Sequence, residues 1–300
     1  MNPKAAFLEL YRRSVTVLSG YGIGRYRIVK LLNDYLKSQV KSDFAEIDGN
    51  KMFLDSKDSL SLSINGVYEA FETNCVKKII KKDDVVIDVG ANIGYYTLIF
   101  AKLVGSEGKV FAFEPEPNNF HLLRKNVELN NYHNVALVQK AVTNITGRVN
   151  LYLSKEDSGQ HKIYDAHDNV DSLEVDAVRL DDYFENFVGT IDFIKMDVEG
   201  AERLVIEGMS SILQRIKSIK MMIEFSPILI KKLGIEPLEY LQMIHEYGFD
   251  LYHMDARKKI ILPVDSARLL REYTPKKGVG ANLLCVKGEF PSDIRPDLSS

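Results

Sequence analysis

The feature that most constrains this chain is a series of short apolar runs separated by stretches with helical periodicity. The runs cover residues 85 to 90, 109 to 114, 135 to 142, 191 to 197 and 219 to 225. Continuous apolar strands that alternate with helices are typical of a parallel sheet covered on both faces. Two further strands, at about 249 to 254 and 281 to 287, complete a predicted α/β fold with a seven-stranded, mostly parallel sheet.

The chain on either side of this series is organised differently. Residues 5 to 18 and 26 to 37 have the periodicity of amphipathic helices, so residues 1–43 are predicted to be an N-terminal helical extension. Such helices could mediate homo-oligomerisation, cover a substrate or pack against the main domain as a simple extension, and the sequence does not decide among these roles. The main domain is then residues 44–290, and residues 291–300 form a polar, proline-containing tail.

Short strands are predicted ahead of the main series. They lie at 44 to 47, at 52 to 54 and at 60 to 64, where Leu60, Leu62 and Ile64 alternate with serines. This alternation predicts an antiparallel preamble to the sheet.

An insertion at about residues 146–181 interrupts the alternation of strands and helices. Residues 149 to 153 and 173 to 180 are predicted to form a β-hairpin, joined by the polar segment 154 to 172. Long polar loops in compact domains are usually lids or binding loops, so this segment is the best candidate for substrate choice. Its histidines and aspartates are close in sequence, but they lack the supporting residues of a metal site.

Charge and cysteine content narrow the class of partner. The net charge is −3, which gives no basic field for a polyanion, so nucleic acid is disfavoured as a partner. The two cysteines, Cys75 and Cys285, are far apart and suggest neither a disulfide framework nor a zinc site. With no apolar run long enough for a bilayer, we expect a cytoplasmic protein.

The first strand of the series ends in the sequence VIDVGANIGYYT, residues 86 to 97. In an open parallel sheet, ligands bind beyond the carboxyl ends of the strands. Gly90 and Gly94 permit a close backbone approach, and Asn92 tolerates a left-handed conformation better than most residues other than glycine. Asp88 adds a negative charge at the same strand end. We interpret this turn as a ligand-binding loop.

The second strand ends at Glu114, about 20 residues beyond the loop. An acid at that position can accept both ribose hydroxyls of an adenosine group. Two cofactors then compete. A dinucleotide loop needs a third glycine, which is missing, and Asp88 would repel a pyrophosphate. The same acid suits the sulfonium and ammonium groups of S-adenosylmethionine.

Three motifs occur in order: D-V-G-A-N-I-G-Y-Y-T, F-E-P, and I-D-F-I-K-M-D-V-E-G-A-E at residues 191 to 202. Together with the stretch Gly66-Val67-Tyr68-Glu69, they resemble the FkbM family of S-adenosylmethionine-dependent methyltransferases. The resemblance implies the class I methyltransferase (Rossmann-like) fold with an antiparallel final strand. It also implies S-adenosyl-L-methionine as methyl donor and methylation of a hydroxyl on a sugar, glycan or small metabolite. Cofactor contacts are expected at Asp88, Gly90, Ala91, Asn92, Gly94 and Glu114.

Acids at the ends of the fourth and fifth strands are the catalytic candidates. Asp197 should emerge beside the reactive methyl group, where a carboxylate suits a hydroxyl acceptor that must lose its proton. Glu224 ends the next strand, so the two acids could share a proton or bind a divalent cation. Glu199 is a third candidate, although acids are common in the first turn of a helix. We favour a metal-free site, because the sequence offers no definite third ligand.

Other functions stay open at this point. Similarity to the methyltransferases that modify amino groups in nucleic acid would require the motif Asn/Asp-Pro-Pro-aromatic after the fourth strand. This chain has Asp197-Val198-Glu199-Gly200 at that place. An NAD-dependent oxidoreductase would also bind its cofactor at a glycine-rich loop after the first strand. A binding or scaffold module could keep the fold without activity, but it would not need acids at three strand ends.

Overall fold

An eight-stranded sheet forms the centre of the molecule in a computed structural model that describes residues 43–154, 161–164, 171–274, 280–294 and 296. The predicted N-terminal helices at 5 to 18 and 26 to 37 lie outside the described residues, as do half of the predicted tail and much of the polar loop. No helix in the described ranges is both long and apolar enough to cross a membrane.

The described part contains thirteen strands and ten helices. The strands are β1 (Phe44–Ile47), β2 (Asn50–Phe53), β3 (Val85–Val89), β4 (Lys109–Phe113), β5 (Val135–Val138), β6 (Ala141–Val142), β7 (Gly147–Tyr152), β8 (Ser172–Val178), β9 (Phe193–Met196), β10 (Ile219–Phe225), β11 (Asp250–Asp255), β12 (Ile260–Pro263) and β13 (Ala281–Lys287). The helices are α1 (Leu62–Asn65), α2 (Ala70–Ile79), α3 (Tyr95–Val104), α4 (Pro117–Leu129), α5 (Leu180–Tyr183), α6 (Glu202–Glu207), α7 (Ser210–Arg215), α8 (Pro227–Lys232), α9 (Pro237–Glu246) and α10 (Ser266–Glu272).

The central sheet has the strand order β12-β11-β13-β10-β9-β3-β4-β5. Neighbouring strands from β5 to β10 are parallel, while β13 is antiparallel to both β10 and β11. The predicted α/β fold with a mostly parallel sheet is therefore confirmed, including the antiparallel final strand. The strand count of seven is too low, because β12 pairs with β11 at one edge. Its four residues end in Pro263 and are too short to show a pattern.

Helices cover both faces of the sheet and divide the core in two. One cluster packs β1, β2 and helices α2 to α4 against one face, and the other packs helices α5 to α10 against the opposite face. Because both faces are covered, the central strands are buried along nearly their whole length, for example β3 and β9. A ligand can therefore bind near the ends of the strands, which the helices do not cover.

The segment before the sheet differs from the prediction. β1 and β2 pair antiparallel, as expected, but the predicted strand at 60 to 64 is wrong, because helix α1 occupies it. The Asp58 carboxylate accepts hydrogen bonds from the backbone N–H groups of Leu62 and Ser63, and it also accepts one from the Ser63 hydroxyl. These bonds satisfy the first N–H groups of a helix. They therefore stabilise a helix where the alternation of leucine and serine predicted a strand.

The insertion forms a small three-stranded sheet with the order β6-β8-β7. β7 and β8 pair antiparallel from Gly147↔Ala177 to Tyr152↔Ser172. The apolar run 135 to 142 was predicted as one strand, but it divides. β5 ends the central sheet, and β6 pairs with β8 instead, so the run leads from the main sheet into the insertion.

Candidate functional site

A cavity of about 470 Å³ lies at the carboxyl ends of β3, β4, β9 and β10. This volume is in the range of small-molecule sites, about 300–1,000 Å³. Its walls include the loop after β3, Glu114, and the acids that follow β9 and β10. The cavity thus brings together most of the residues that the sequence marks as candidates. Those lining it are Asp88, Gly90, Ala91, Asn92, Glu114, Asp197, Glu199 and Glu224.

The two glycines of the first loop are required by the protein's own packing. Gly90 has φ of 78°, and a Cβ atom there would lie 2.0 Å from the backbone oxygen of Asp197. Gly94 has φ of 99°, and a Cβ there would lie 2.8 Å from Leu123 on α4. The close approach that the glycines permit is therefore to β9 and α4. Asn92 between them has φ of 50°, in the left-handed region.

Asp88 is fully buried beneath this loop and faces the cavity. Its Oδ2 accepts a hydrogen bond of 2.6 Å from the Thr97 hydroxyl. Oδ1 is buried and has no hydrogen-bond partner among the described residues. Burial raises the pKa of Asp88, and the nearby Lys195 ammonium and the Thr97 hydrogen bond act against that rise. A buried carboxylate oxygen without a donor is a place where a ligand's cationic or N–H group gains most.

Glu114 is also buried, at the end of β4. Its Oε2 accepts from the backbone N–H of Asn92 at 2.8 Å, and its Oε1 accepts from the N–H of Glu116 at 2.9 Å. Each oxygen keeps a further lone pair for a hydroxyl donor. Burial raises the pKa of Glu114 to about 7, against the effect of these two backbone hydrogen bonds. The bond to Asn92 fixes the loop after β3 to the acid on the neighbouring strand.

Three acids gather where β9 and β10 end. One carboxylate oxygen from each of Asp197, Glu199 and Glu224 lies within 4.8 Å of the others. Glu199, whose backbone is left-handed with φ of 54°, therefore supplies the third possible metal ligand that the sequence did not make definite. Burial raises the pKa of Glu224 well above its ordinary value, and the neighbouring acids Asp197, Glu202 and Glu199 raise it further. The three carboxylates could share a proton or hold a divalent cation.

The cluster also contains a cation that sequence reasoning missed. Lys195 on β9 is 4% exposed, and its Nζ lies 3.2 Å from Oδ2 of Asp197 and 4.9 Å from the centre of the Tyr96 ring. Burial lowers its pKa, but the charges of Asp197, Asp88 and Glu69 outweigh this effect and raise it. The signal was present in the sequence, since a lysine inside an apolar strand needs a buried partner.

The insertion contributes one wall of the cavity. Leu151, His161 and Ile163 line it, so the segment predicted to choose the substrate reaches the site in the part that is described. The Tyr164 hydroxyl donates to the backbone oxygen of Glu199 at 2.9 Å, which ties the insertion to the acidic loop. His161 Nδ1 accepts from the Ser154 N–H at 3.0 Å. The other histidine and aspartates of this segment that were considered as metal ligands, at 165, 167 and 168, lie outside the described residues.

Comparison with known proteins gives a match over the centre of the chain. The family described as "Methyltransferase FkbM domain" matches residues 88–251, more than half of the 300-residue chain. The matched region begins at Asp88 and includes Glu114, Asp197 and Glu224. It leaves out Glu69 and Asn282, which also line the cavity.

Three curated relatives share part of the sequence. "Methyltransferase 1" of Beauveria bassiana is 30% identical over 151 residues, 42% of this chain and 59% of that protein. "Hexuronic acid methyltransferase AglP" of Haloferax volcanii is 27% identical over 168 residues, 55% of this chain and 63% of that protein. "2-O-methyltransferase NoeI" of Sinorhizobium fredii is 29% identical over 156 residues, 46% of this chain and 63% of that protein. The chain thus spans less than two thirds of the length of these relatives.

Proposed function

The chain belongs to the FkbM methyltransferase family, and on that premise we propose that it transfers the methyl group of S-adenosylmethionine to a hydroxyl group. The observation that supports the proposal most strongly is that one cavity is lined by the glycine loop, by Glu114, which can bind ribose hydroxyls, and by the carboxylates around Asp197. Glu114 and the loop after β3 would hold the cofactor, and the carboxylates after β9 and β10 line the same cavity, where an acceptor hydroxyl would be bound.

The residues of the cavity fit this cofactor. Glu114 offers lone pairs for the ribose hydroxyls, and the buried Oδ1 of Asp88 lacks a donor among the described residues. The cavity is rich in carboxylates, which suits a ligand that carries both a sulfonium and an ammonium group. When bound, S-adenosylmethionine supplies an electrophilic methyl group on sulfur.

Asp197 is the proposed general base. As the acceptor oxygen forms its bond to the methyl carbon and the carbon–sulfur bond breaks, the hydroxyl proton passes to the Asp197 carboxylate. Lys195 Nζ lies 3.2 Å from that carboxylate and holds it in place. Burial and the neighbouring acid Asp197 raise the pKa of Glu224, so Asp197 rather than Glu224 is assigned as the base. Most of the acceleration should come from holding oxygen and methyl in line, an effect worth up to about 7–11 kcal/mol.

A sugar, glycan or small metabolite is the proposed acceptor. Two of the relatives are named for a hexuronic acid and for 2-O-methylation, which supports a hydroxyl of a carbohydrate. A phosphate-rich acceptor is disfavoured by the net charge of −3 and by the carboxylates in the cavity. We also propose a metal-free reaction, because the Lys195 ammonium, 3.2 Å from Asp197, already supplies a cation to the three carboxylates. A cytoplasmic location and self-association through residues 1–43 are proposed from the sequence alone.

Calorimetric titration tests the cofactor. We expect the protein to bind S-adenosylmethionine and S-adenosylhomocysteine, with weaker binding by the Glu114→Gln variant, and not to bind NAD. Glu239→Gln on α9 is the matched control, because it changes a carboxylate that does not line the cavity. Binding of NAD without binding of S-adenosylmethionine would contradict the proposal and favour an oxidoreductase.

A further inference from the structure

Glu69 occupies a position whose geometry the fold alone does not explain. It precedes helix α2 as the N-cap residue, yet its side chain makes no capping hydrogen bond. Its backbone is in the left-handed region, with φ of 44° and ψ of 61°. Such a conformation is unfavourable for a residue with a side chain, and residues held in it cluster at functional sites. The side chain lines the cavity instead of capping the helix.

The Glu69 carboxylate is held in place by two donors from distant parts of the chain. The Tyr96 hydroxyl in the first turn of α3 donates to Oε2 at 2.9 Å, and the Asn282 amide on β13 donates to Oε1 at 3.0 Å. Since a carboxylate has about four acceptor sites, each oxygen keeps capacity for another donor. Glu69 and Asn282 both lie outside the matched family region of residues 88–251.

The direction of the proposed cofactor places one of its ends near Glu69. Glu114 on β4 would hold the ribose hydroxyls, so residues beyond the Gly90 loop, on the side of β9 and β10, would hold the methionine portion. The Glu69 carboxylate lies on that side, because Asn282, which donates to it, pairs with Glu224 of β10, and the ring of Tyr96, which also donates to it, lies 4.9 Å from Nζ of Lys195 on β9. Glu69 would therefore face the ammonium group of that portion.

The charges around this end of the cavity have an acidic excess. The cavity is lined by three lysine or arginine side chains (Lys140, Lys195 and Arg257) and by eight carboxylates: Glu69, Glu72, Asp88, Glu114, Asp197, Glu199, Glu224 and Asp255. Lys195 is paired with Asp197 through a direct contact. Glu69 is oriented by the neutral donors Tyr96 and Asn282, and it has no direct ion pair among the described residues. An ammonium group would therefore meet a carboxylate that is already oriented.

We propose that Glu69 is the counter-ion of the α-ammonium group of S-adenosylmethionine, with Tyr96 and Asn282 as the residues that position its carboxylate. The inference rests on the proposed function, because it assigns a further residue to the same cofactor. It extends the binding site beyond the family's matched region, to the segment before α2 and to β13.

A pair of ligands isolates this contact. S-adenosylhomocysteine carries the amino-acid portion, and 5′-methylthioadenosine keeps the adenosine and the thioether but lacks it. We expect Glu69→Gln to weaken S-adenosylhomocysteine by about ten- to a hundred-fold, the usual range for a hydrogen bond to a charged group. Binding of 5′-methylthioadenosine should change by less than about two-fold, because it has no ammonium group to lose. Calorimetry at one pH and salt concentration measures both.

Two further variants keep the test decisive. Glu69→Gly relieves the left-handed backbone, so it should stay folded while losing the same selectivity for S-adenosylhomocysteine. Tyr96→Phe keeps the aromatic ring and removes one donor, so it should give a smaller loss than Glu69→Gln. Glu46→Gln, an exposed glutamate on β1, is the control and should bind both ligands as the wild type does.

The outcomes separate this inference from the proposed function. If the wild type binds neither ligand, the proposed function fails and the inference fails with it. If the wild type binds S-adenosylhomocysteine but Glu69→Gln and Glu69→Gly bind it equally well, only the inference is overturned, and a loss of methyl transfer in those variants would assign Glu69 to the acceptor. An equal loss for both ligands overturns it as well.

Discussion

Replacing Gly90 by alanine tests the close contact between the glycine loop and the backbone of Asp197 after β9. The added Cβ would lie 2.0 Å from the backbone oxygen of Asp197, and the residue would have to keep φ near 78°. The left-handed conformation costs about 1–2 kcal/mol for a residue with a Cβ. Overpacking adds about 1–3 kcal/mol, since the obstacle is backbone and not a flexible side chain. Together these give about 2–5 kcal/mol for Gly90→Ala.

Gly234 supplies a matched control within the same chain. Its φ is 74°, nearly that of Gly90, but a Cβ there would meet nothing within 4 Å. Gly234→Ala should therefore cost only the conformational part, about 1–2 kcal/mol. Urea unfolding followed by circular dichroism measures both, because the chain has no tryptophan to report by fluorescence. Equal losses in the two variants would refute the close contact between the loop and Asp197.

Three further outcomes follow from the site. Asp197→Asn should lower kcat by about 10²- to 10⁴-fold with S-adenosylmethionine affinity within a few-fold of wild type, as steady-state kinetics and calorimetry can show; unchanged kcat would remove the proposed base. The pKa of Glu114 is raised to about 7 in the fold from an ordinary 4.5, so its contribution to stability is greatest below pH 4.5 and is lost as the pH rises to about 7. The free energy of unfolding of wild type relative to Glu114→Gln should therefore fall over that interval, and a rise would contradict the burial argument. A metal-free reaction predicts the same rate with and without EDTA, and a loss restored by Mg²⁺ would instead assign a metal to Asp197, Glu199 and Glu224.

The main strands of the sheet could be predicted well because the apolar runs are long and buried. β3, β9 and β10 are covered on both faces, so their sequences are nearly continuous in apolar residues. The short elements could not be predicted in the same way. Helix α1 depends on the hydrogen bonds of Asp58, and β12 depends on an edge partner, neither of which a local pattern contains. Tertiary contacts decide such elements.

The candidate site was predictable where it lies directly at strand ends. Asp88, Glu114 and Asp197 follow from the rule that ligands bind at the carboxyl ends of parallel strands. Lys195 and Glu69 do not follow from it. Lys195 lies within a strand and reaches Asp197 because residues two apart share a face. Glu69 reaches the cavity from a segment before α2, through hydrogen bonds to residues 27 and 213 positions away in sequence.

Transfer of a labelled methyl group tests the central claim most directly. The wild type and Asp197→Asn are incubated with methyl-labelled S-adenosylmethionine and a panel of sugars, nucleotide sugars, lipid-linked glycans and RNA, and products are read by mass spectrometry. Asp250→Asn, an exposed aspartate at the start of β11, is the control. We expect one labelled methyl group on a hydroxyl of a carbohydrate or small metabolite with the wild type and the control, and at least about a hundred-fold less with Asp197→Asn. Labelled RNA as the sole product, or equal transfer by Asp197→Asn, would contradict the proposed reaction.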